Sequence, residues 1–369
     1  MAKFVCPYCY ETHSLNDCGM KCSYNIAGNT DVMCQKKVQK DADGWIPNNK
    51  KAGCMNCQMA RKSIFCPVTQ EEVPRDFLQE EGLPIALIGA KAVGKSNYIG
   101  VLINEIKKRM SLPFHCMLSL CSNQRSLDYY NEYYYNPLFE KQVVLPGTDA
   151  GEIPPMIFPL RFTMGRREKT AILTFYDTAG ENLDTDEDML VFNRYIPNAK
   201  GIILLLDPLQ VPSVRAKLEG KMQLPAKNTD AVTVLQRVIE NIRQVKNVKG
   251  KINIPLAIAF TKMDALEKFD ILPPDSPLRQ ESEHLSRGAF VLSDFQNCNI
   301  EMQDILENFL DDELLQLMEQ FTKHSLFGLS AFGDVPVNNK LSGGGIHPKR
   351  VLDPLLWLLA ENKYIQTVK

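Results

Sequence analysis

The sequence predicts an α/β protein in three layers, a mostly parallel sheet between helices, preceded by a small cysteine-rich module. Three observations predict it. Short all-apolar runs, such as 85–88 and 201–206, alternate with stretches of helical period through residues 83–369, the pattern of buried parallel strands joined by crossover helices. The octapeptide Gly89-Ala90-Lys91-Ala92-Val93-Gly94-Lys95-Ser96 stands between the first of these runs and a helix-patterned stretch over 97–110. Eight of the eleven cysteines fall in the first 66 residues.

At 369 residues the chain exceeds the usual single-domain size. Composition shifts divide it into a cysteine module (1–70), an acidic, proline-bounded linker (71–82) and a large domain (83–369). The net charge of −2 gives no overall field towards nucleic acid or anionic lipid. The N-terminus lacks the apolar core of a signal peptide, and no apolar run approaches the roughly 20 residues that cross a bilayer. These features predict a cytoplasmic protein, a compartment where paired cysteines point to metal rather than disulfides.

In the module, Cys6-Pro7-Tyr8-Cys9 and Cys54-Met55-Asn56-Cys57 have the two-residue spacing that turns both sulfurs towards one Zn²⁺. The remaining thiols suggest two four-thiolate structural sites, Cys6, Cys9, Cys18 and Cys22 in one, and Cys34, Cys54, Cys57 and Cys66 in the other. The grouping stays open, because Cys66-Pro67-Val68-Thr69 reads as a knuckle whose second cysteine is Thr69; a single site is the minimum. A segment this poor in large apolar residues draws its folding energy from the metal. Its side-chain balance of +4 is offset by two zinc ions with eight thiolates, so protein docking is favoured over nucleic-acid binding.

In the large domain, Gly89 and Gly94 allow a tight turn whose amides face phosphate oxygens at the positive end of the following helix. This is a P-loop, in which Lys95 reaches the β- and γ-phosphates and Ser96 ligates Mg²⁺, with Asn97 opening the helix. A strand is expected over 114–120 and a helix over 126–141, whose five tyrosines recur at packing spacing. Residues 157–163 and 170–176 read as a hairpin. Its second strand delivers Asp177-Thr178-Ala179-Gly180, placing a carboxylate for Mg²⁺ and an amide for the γ-phosphate beside the P-loop. A buried strand over 201–206, a helix over 232–245 and another strand over 254–260 follow. The last ends in Thr261-Lys262-Met263-Asp264. There Asp264 would accept the paired donors of a guanine ring, Lys262 would lie along the ring plane, and the amides of Ser330-Ala331 after a strand over 325–329 would approach the guanine carbonyl. A helix over 352–364 closes the chain.

With these four motifs in order, residues 83–369 resemble the Ras-like, TRAFAC-class P-loop GTPases, which implies the three-layer P-loop NTPase fold. More narrowly the chain is similar to bacterial double-GTPase domain proteins, which carry N-terminal zinc ribbons and are associated with conflict or defence loci; the shared cues are the paired cysteines, Leu145-Pro146-Gly147-Thr148 and the Leu-Leu-Asp-Pro ending at Pro208. The resemblance implies a switch threonine for Mg²⁺ and the γ-phosphate, assigned to Thr148. It places Thr261 where the family usually has asparagine, and Glu181 where Ras-like enzymes orient water with glutamine.

The expectation is therefore a Mg²⁺-dependent guanine-nucleotide switch that hydrolyses GTP to GDP, slowly or with a partner's help because of Glu181. Its zinc ribbon would dock a protein, either a second GTPase or an effector. Three other readings share the motifs: a non-hydrolysing GTP-gated scaffold, a nucleotide-regulated zinc-ribbon nucleic-acid binder, and an ATPase.

Overall fold

The computed structural model describes residues 3–9, 11–14, 17–22, 62–73, 83–90, 92–118, 124–147, 156–165, 167–175, 195–222, 224–227, 231–309, 312–341 and 344–369. At the N-terminus, β1 (Lys3–Val5) pairs antiparallel with β2 (Thr12–Ser14). A second small sheet joins β3 (Gly19–Cys22), β4 (Lys62–Phe65) and β5 (Glu72–Val73), also antiparallel. The module's strands thus reach Val73, past the expected boundary at residue 70.

The large domain begins with β6 (Leu83–Gly89) and α1 (Lys95–Glu105), which runs on as a π-helical turn over Ile106–Met110. β7 (Cys116–Leu118) starts two residues later than expected, because His115 takes a left-handed φ of 47° and breaks the extended run before it. Next come α2 (Gln124–Tyr130), continued as a π-helix over Asn131–Glu140, and the hairpin of β8 (Met156–Met164) and β9 (Arg167–Phe175). β10 (Gly201–Leu206), α3 (Pro212–Leu218), α4 (Ala231–Lys246), β11 (Leu256–Phe260) and α5 (Met263–Lys268) follow. The chain continues through α6 (Glu283–Arg287), β12 (Phe290–Val291), α7 (Leu292–Phe309), α8 (Asp312–Met318) and β13 (His324–Gly328), and closes with α9 (Asp353–Glu361) and β14 (Thr367–Val368).

Seven strands form one sheet in the order β13-β11-β10-β6-β9-β8-β7. The pairs from β13 to β9 are parallel, and β8 and β7 are added antiparallel. Every residue of β6, β10 and β11 is buried, as expected for strands covered on both faces. Alternation along β10 divides the core. Ile203 and Leu205 face the side packed by α1 and α9, whereas Ile202, Leu204 and Leu206 face the side packed by α4, α7 and α8. Gly201 lets α9 close on the sheet, since a Cβ there would stand 2.7 Å from Leu358 Cδ2.

The tyrosine-rich stretch packs as its spacing predicts, with Tyr130 and Tyr134 buried and Tyr133 exposed. The Tyr130 hydroxyl donates to the Gly100 carbonyl of α1 at 3.0 Å.

A buried ion cluster fixes the start of α9. Arg350, itself in the left-handed region at φ 53°, donates from both Nη atoms to the two carboxylate oxygens of Asp294 on α7, at 3.0 and 2.9 Å. Its Nη1 also reaches Asp353 Oδ2 at 2.9 Å, and Nε donates to the Pro277 carbonyl at 3.2 Å. Burial alone would raise the Asp294 carboxyl, but the hydrogen bonds and charge of Arg350 hold it below the ordinary carboxylate range.

Such a carboxylate contributes stability above its unfolded-state pKa and loses it as pH falls through the folded-state value. Asp294→Ala leaves Arg350 with Asp353 as a remaining carboxylate partner and should lower the unfolding free energy at neutral pH by about 3 kcal/mol, the lower end of the usual cost of breaking a buried pair. Denaturant melts should show the difference from the parent narrowing in acid; equal midpoints at neutral pH would contradict this account.

Candidate functional site

The carboxyl ends of the parallel strands open on a cleft of about 290 Å³. Its floor is the turn after β6. A Cβ on Gly89 would lie 2.7 Å from Val93 Cγ2 and 3.1 Å from the Leu205 carbonyl oxygen, so glycine is required where the turn folds back on β10. Ala92 and Gly94 both adopt positive φ, at 59° and 89°, a backbone form that turns successive amides towards one concavity. α1 starts at Lys95, adding the amides and positive end of its first turn.

The end of β11 supplies the side wall. Thr261 Oγ1 donates to the Val93 carbonyl at 2.9 Å, with the Leu206 carbonyl at 3.1 Å. This side chain therefore braces the turn from behind. Lys262, at φ 54°, reaches across with its ammonium to Asp207 Oδ2 at 2.5 Å and to the Ala92 carbonyl at 3.0 Å. Asp207, buried at the end of β10, also accepts from the Leu209 amide at 2.9 Å. Asp264 Oδ1 accepts from Ser330 Oγ at 2.8 Å, and Ser330 Oγ in turn accepts from the Gly333 amide at 2.8 Å. Burial pushes the Asp264 carboxyl above its ordinary pKa, and the Ser330 hydrogen bond pulls it partly back.

The roof is Val144, Leu145, Pro146 and Gly147, with Ala331, Phe332 and Pro336 on the far wall. Asn97 Oδ1 accepts from the Leu145 amide at 3.0 Å. The Val144 amide donates to the Asn339 carbonyl and the Leu341 amide to the Gln142 carbonyl, both at 3.0 Å. Asn338 and Asn339 both take positive φ between the bridged pair Val337 and Lys340, the geometry of a two-residue type I′ turn.

Of the residues expected from sequence, Ala90, Ala92, Val93, Gly94, Lys95, Ser96, Asn97, Thr261, Lys262, Asp264 and Ala331 line this cleft. Gly89 and Ser330 stand behind the lining and shape it. Lys91, Thr148, Asp177, Gly180 and Glu181 lie outside the described residues. Leu145, Pro146, Gly147 and Asp207 stood among the sequence cues without a place in the site, and Val144, Phe332 and Pro336 had none either. For Asp207 a signal existed, since it ends β10 one strand from Thr261-Lys262.

The cysteine module holds a second constellation. One ligand atom each of Cys6, Cys9, His13 and Cys66 lies within 4.8 Å of the others, and all four residues are buried. Cys9 Sγ is 3.0 Å from His13 Nε2 and 3.5 Å from Cys66 Sγ, and Cys66 Sγ is 3.9 Å from His13 Nε2. Hydrogen bonding with Cys6, ahead of the opposing effect of burial, brings the Cys9 thiol down to about 5; the same contact and burial push Cys6 up. The arrangement differs from the expected grouping, since it joins members of both sets and recruits a histidine. Cys18 points instead to the Ser14 carbonyl at 3.4 Å. Cys22 ends β3, and Cys34, Cys54 and Cys57 lie outside the described residues.

No protein-family model matches the chain. A protein of Mycolicibacterium smegmatis named "Putative ESX-1 scaffolding and assembly protein SaeC" is similar to it, 24% identical over 319 residues that cover 80% of this chain and 78% of the relative. These findings correct the sequence reading. The assignment to the Ras-like TRAFAC GTPases and double-GTPase proteins is overturned, and with it the GTP-hydrolysing switch, the hydrolase activity and the defence role, because the relative is named for scaffolding and assembly. The physical reason for the error is that a turn of converging amides serves any phosphate, whereas hydrolysis needs a positioned water. Among the described residues no helix is long and apolar enough to cross a membrane.

Asp264 offers a test of the wall. An acid whose folded-state pKa is raised costs stability above that value and recovers it as pH falls through it. Asp264→Asn keeps an acceptor for Ser330 and removes the buried charge, so the ligand-free melting temperature should rise by roughly 2 °C near pH 7, with the gain shrinking towards acid. A fall in melting temperature at neutral pH would contradict this.

Proposed function

We propose that this chain is a scaffolding protein that brings protein partners together during assembly of a larger complex. The observation that carries the reading is the likeness to a protein named for scaffolding and assembly, which extends over four fifths of this chain.

In this reading the cleft is a ligand-binding seat. The amides of the Ala92–Gly94 turn and the side chains of Lys95 and Ser96 suit the phosphates of a nucleotide and its Mg²⁺. The Asp264 carboxylate, held by Ser330, suits the adjacent ring donors of a guanine. The fit rests on two features: a floor where only glycine allows the turn to close on β10, and a buried carboxylate on the wall. Bound GDP or GTP acts here as a structural ligand beneath the 144–147 roof. The cysteine module, two small sheets each with an ordered cysteine-proline turn, serves as a docking piece for a protein.

Affinity isolation of the tagged chain from its native host should recover at least two different proteins in fixed stoichiometry, which disperse on gel filtration when the chain is deleted. Partners that associate equally well without it would overturn the scaffold reading. For the cleft, Lys95→Ala should weaken binding of fluorescent GDP with Mg²⁺ by more than about tenfold, the loss expected of a charge-assisted phosphate contact; unchanged affinity would remove the nucleotide.

A further inference from the structure

The two ends of the cysteine module are copies of one turn. Residues 6–13 read Cys-Pro-Tyr-Cys-Tyr-Glu-Thr-His and residues 66–73 read Cys-Pro-Val-Thr-Gln-Glu-Glu-Val. Each cysteine-proline pair follows a strand, β1 or β4, and precedes a second strand, β2 or β5. The backbone repeats as well: the Cys6 amide donates to the Glu11 carbonyl and the Cys66 amide to the Glu71 carbonyl, both at 2.9 Å. In each copy, amides of the turn point at the first sulfur, from Tyr8 to Cys6 Sγ at 3.5 Å and from Val68 and Thr69 to Cys66 Sγ at 3.4 Å. Such donors stabilise thiolate charge.

Two complete knuckles would supply four thiolates, but the second has Thr69 where the first has Cys9. The missing ligand is replaced from the first copy, where His13 sits at the position that Val73 fills in the second. The His13 ring lies at 64° to Phe4 with centroids 6.1 Å apart, and its Nε2 points at the sulfurs of Cys9 and Cys66.

We propose that Cys6, Cys9, His13 and Cys66 hold one structural Zn²⁺ with three sulfurs and one nitrogen, and that His13 substitutes for the cysteine absent at position 69. A zinc tetrahedron with Zn–S near 2.3 Å and Zn–N near 2.0 Å has edges of about 3.8 Å between sulfurs and about 3.5 Å between sulfur and nitrogen. The sulfur–nitrogen separations of 3.0 and 3.9 Å lie either side of the second value, and the sulfur–sulfur separation of 3.5 Å is close to the first. Burial of all four ligands suits a closed structural site rather than a catalytic one with an open position. The site stands independently of the scaffold and nucleotide readings.

The full chain, purified in zinc-containing buffer and dialysed, is measured for bound zinc and for the Co²⁺ absorption spectrum after exchange. His13→Ala and Cys66→Ser should each lose about one equivalent of zinc relative to the parent, while Cys18→Ser retains it. Adding Thr69→Cys to His13→Ala should restore the equivalent by completing the second knuckle. His13→Cys, which keeps four ligands if the alanine variant fails to fold, should increase the sulfur-to-cobalt charge-transfer absorbance per bound ion. A parent that retains no zinc, a His13→Ala protein with parental zinc content, or a His13→Cys protein with an unchanged cobalt spectrum would each overturn the proposal.

Discussion

The cleft depends on the register of four parallel strands. Leu205 lies abreast of Gly89, Leu206 of Phe260, and Phe260 of Gly328. Parallel pairing allows no tight return at the end of a strand, so each chain must leave the sheet at that edge and cross over before re-entering. Four loops far apart in the sequence are thereby delivered to one rim. Slipping one strand by a single residue would invert its faces, turning Ile202, Leu204 and Leu206 away from the core they fill and carrying Asp207 away from Lys262.

The physics that made this rim legible in the sequence is the two-sided burial of its strands. Runs such as 201–206 are apolar throughout because they touch core on both faces, and the polar residue after such a run, Asp207 or Thr261, marks where the strand ends at the cleft. Other features left weaker traces. α7 carries Asp294, Asn297, Asn299 and Asp304 among its packed Cys298, Met302 and Leu306, so its period is blurred and no element was expected there. Residues 145–147 of the roof stood out in the sequence, but what holds them over the cleft did not, because it includes backbone hydrogen bonds between residues 142–144 and 339–341, which any side chain permits. His13 was not singled out because its nearness to Cys66 is a matter of the fold and not of sequence spacing.

The overturned enzymatic reading shows what a motif string encodes. Gly89, Gly94, Lys95 and Ser96 specify a local geometry, a left-handed turn feeding a helix, and the structure has that geometry. Geometry of this kind determines which charges a site tolerates. Turnover depends in addition on groups that position water, and those were assigned by resemblance to residues of the 148–181 region. A shared local geometry therefore does not by itself fix an activity.

The ammonium of Lys262 spans two loops, resting on the carboxylate of Asp207 and on the carbonyl of Ala92. Asp207 is 1% exposed at its side chain, so dissolved salt does little to loosen this contact. Together with Thr261 against Val93, it latches the wall of the cleft to its floor before any guest arrives. The entropy of ordering these two loops is thus already spent in folding, and their relative position is a property of the fold itself.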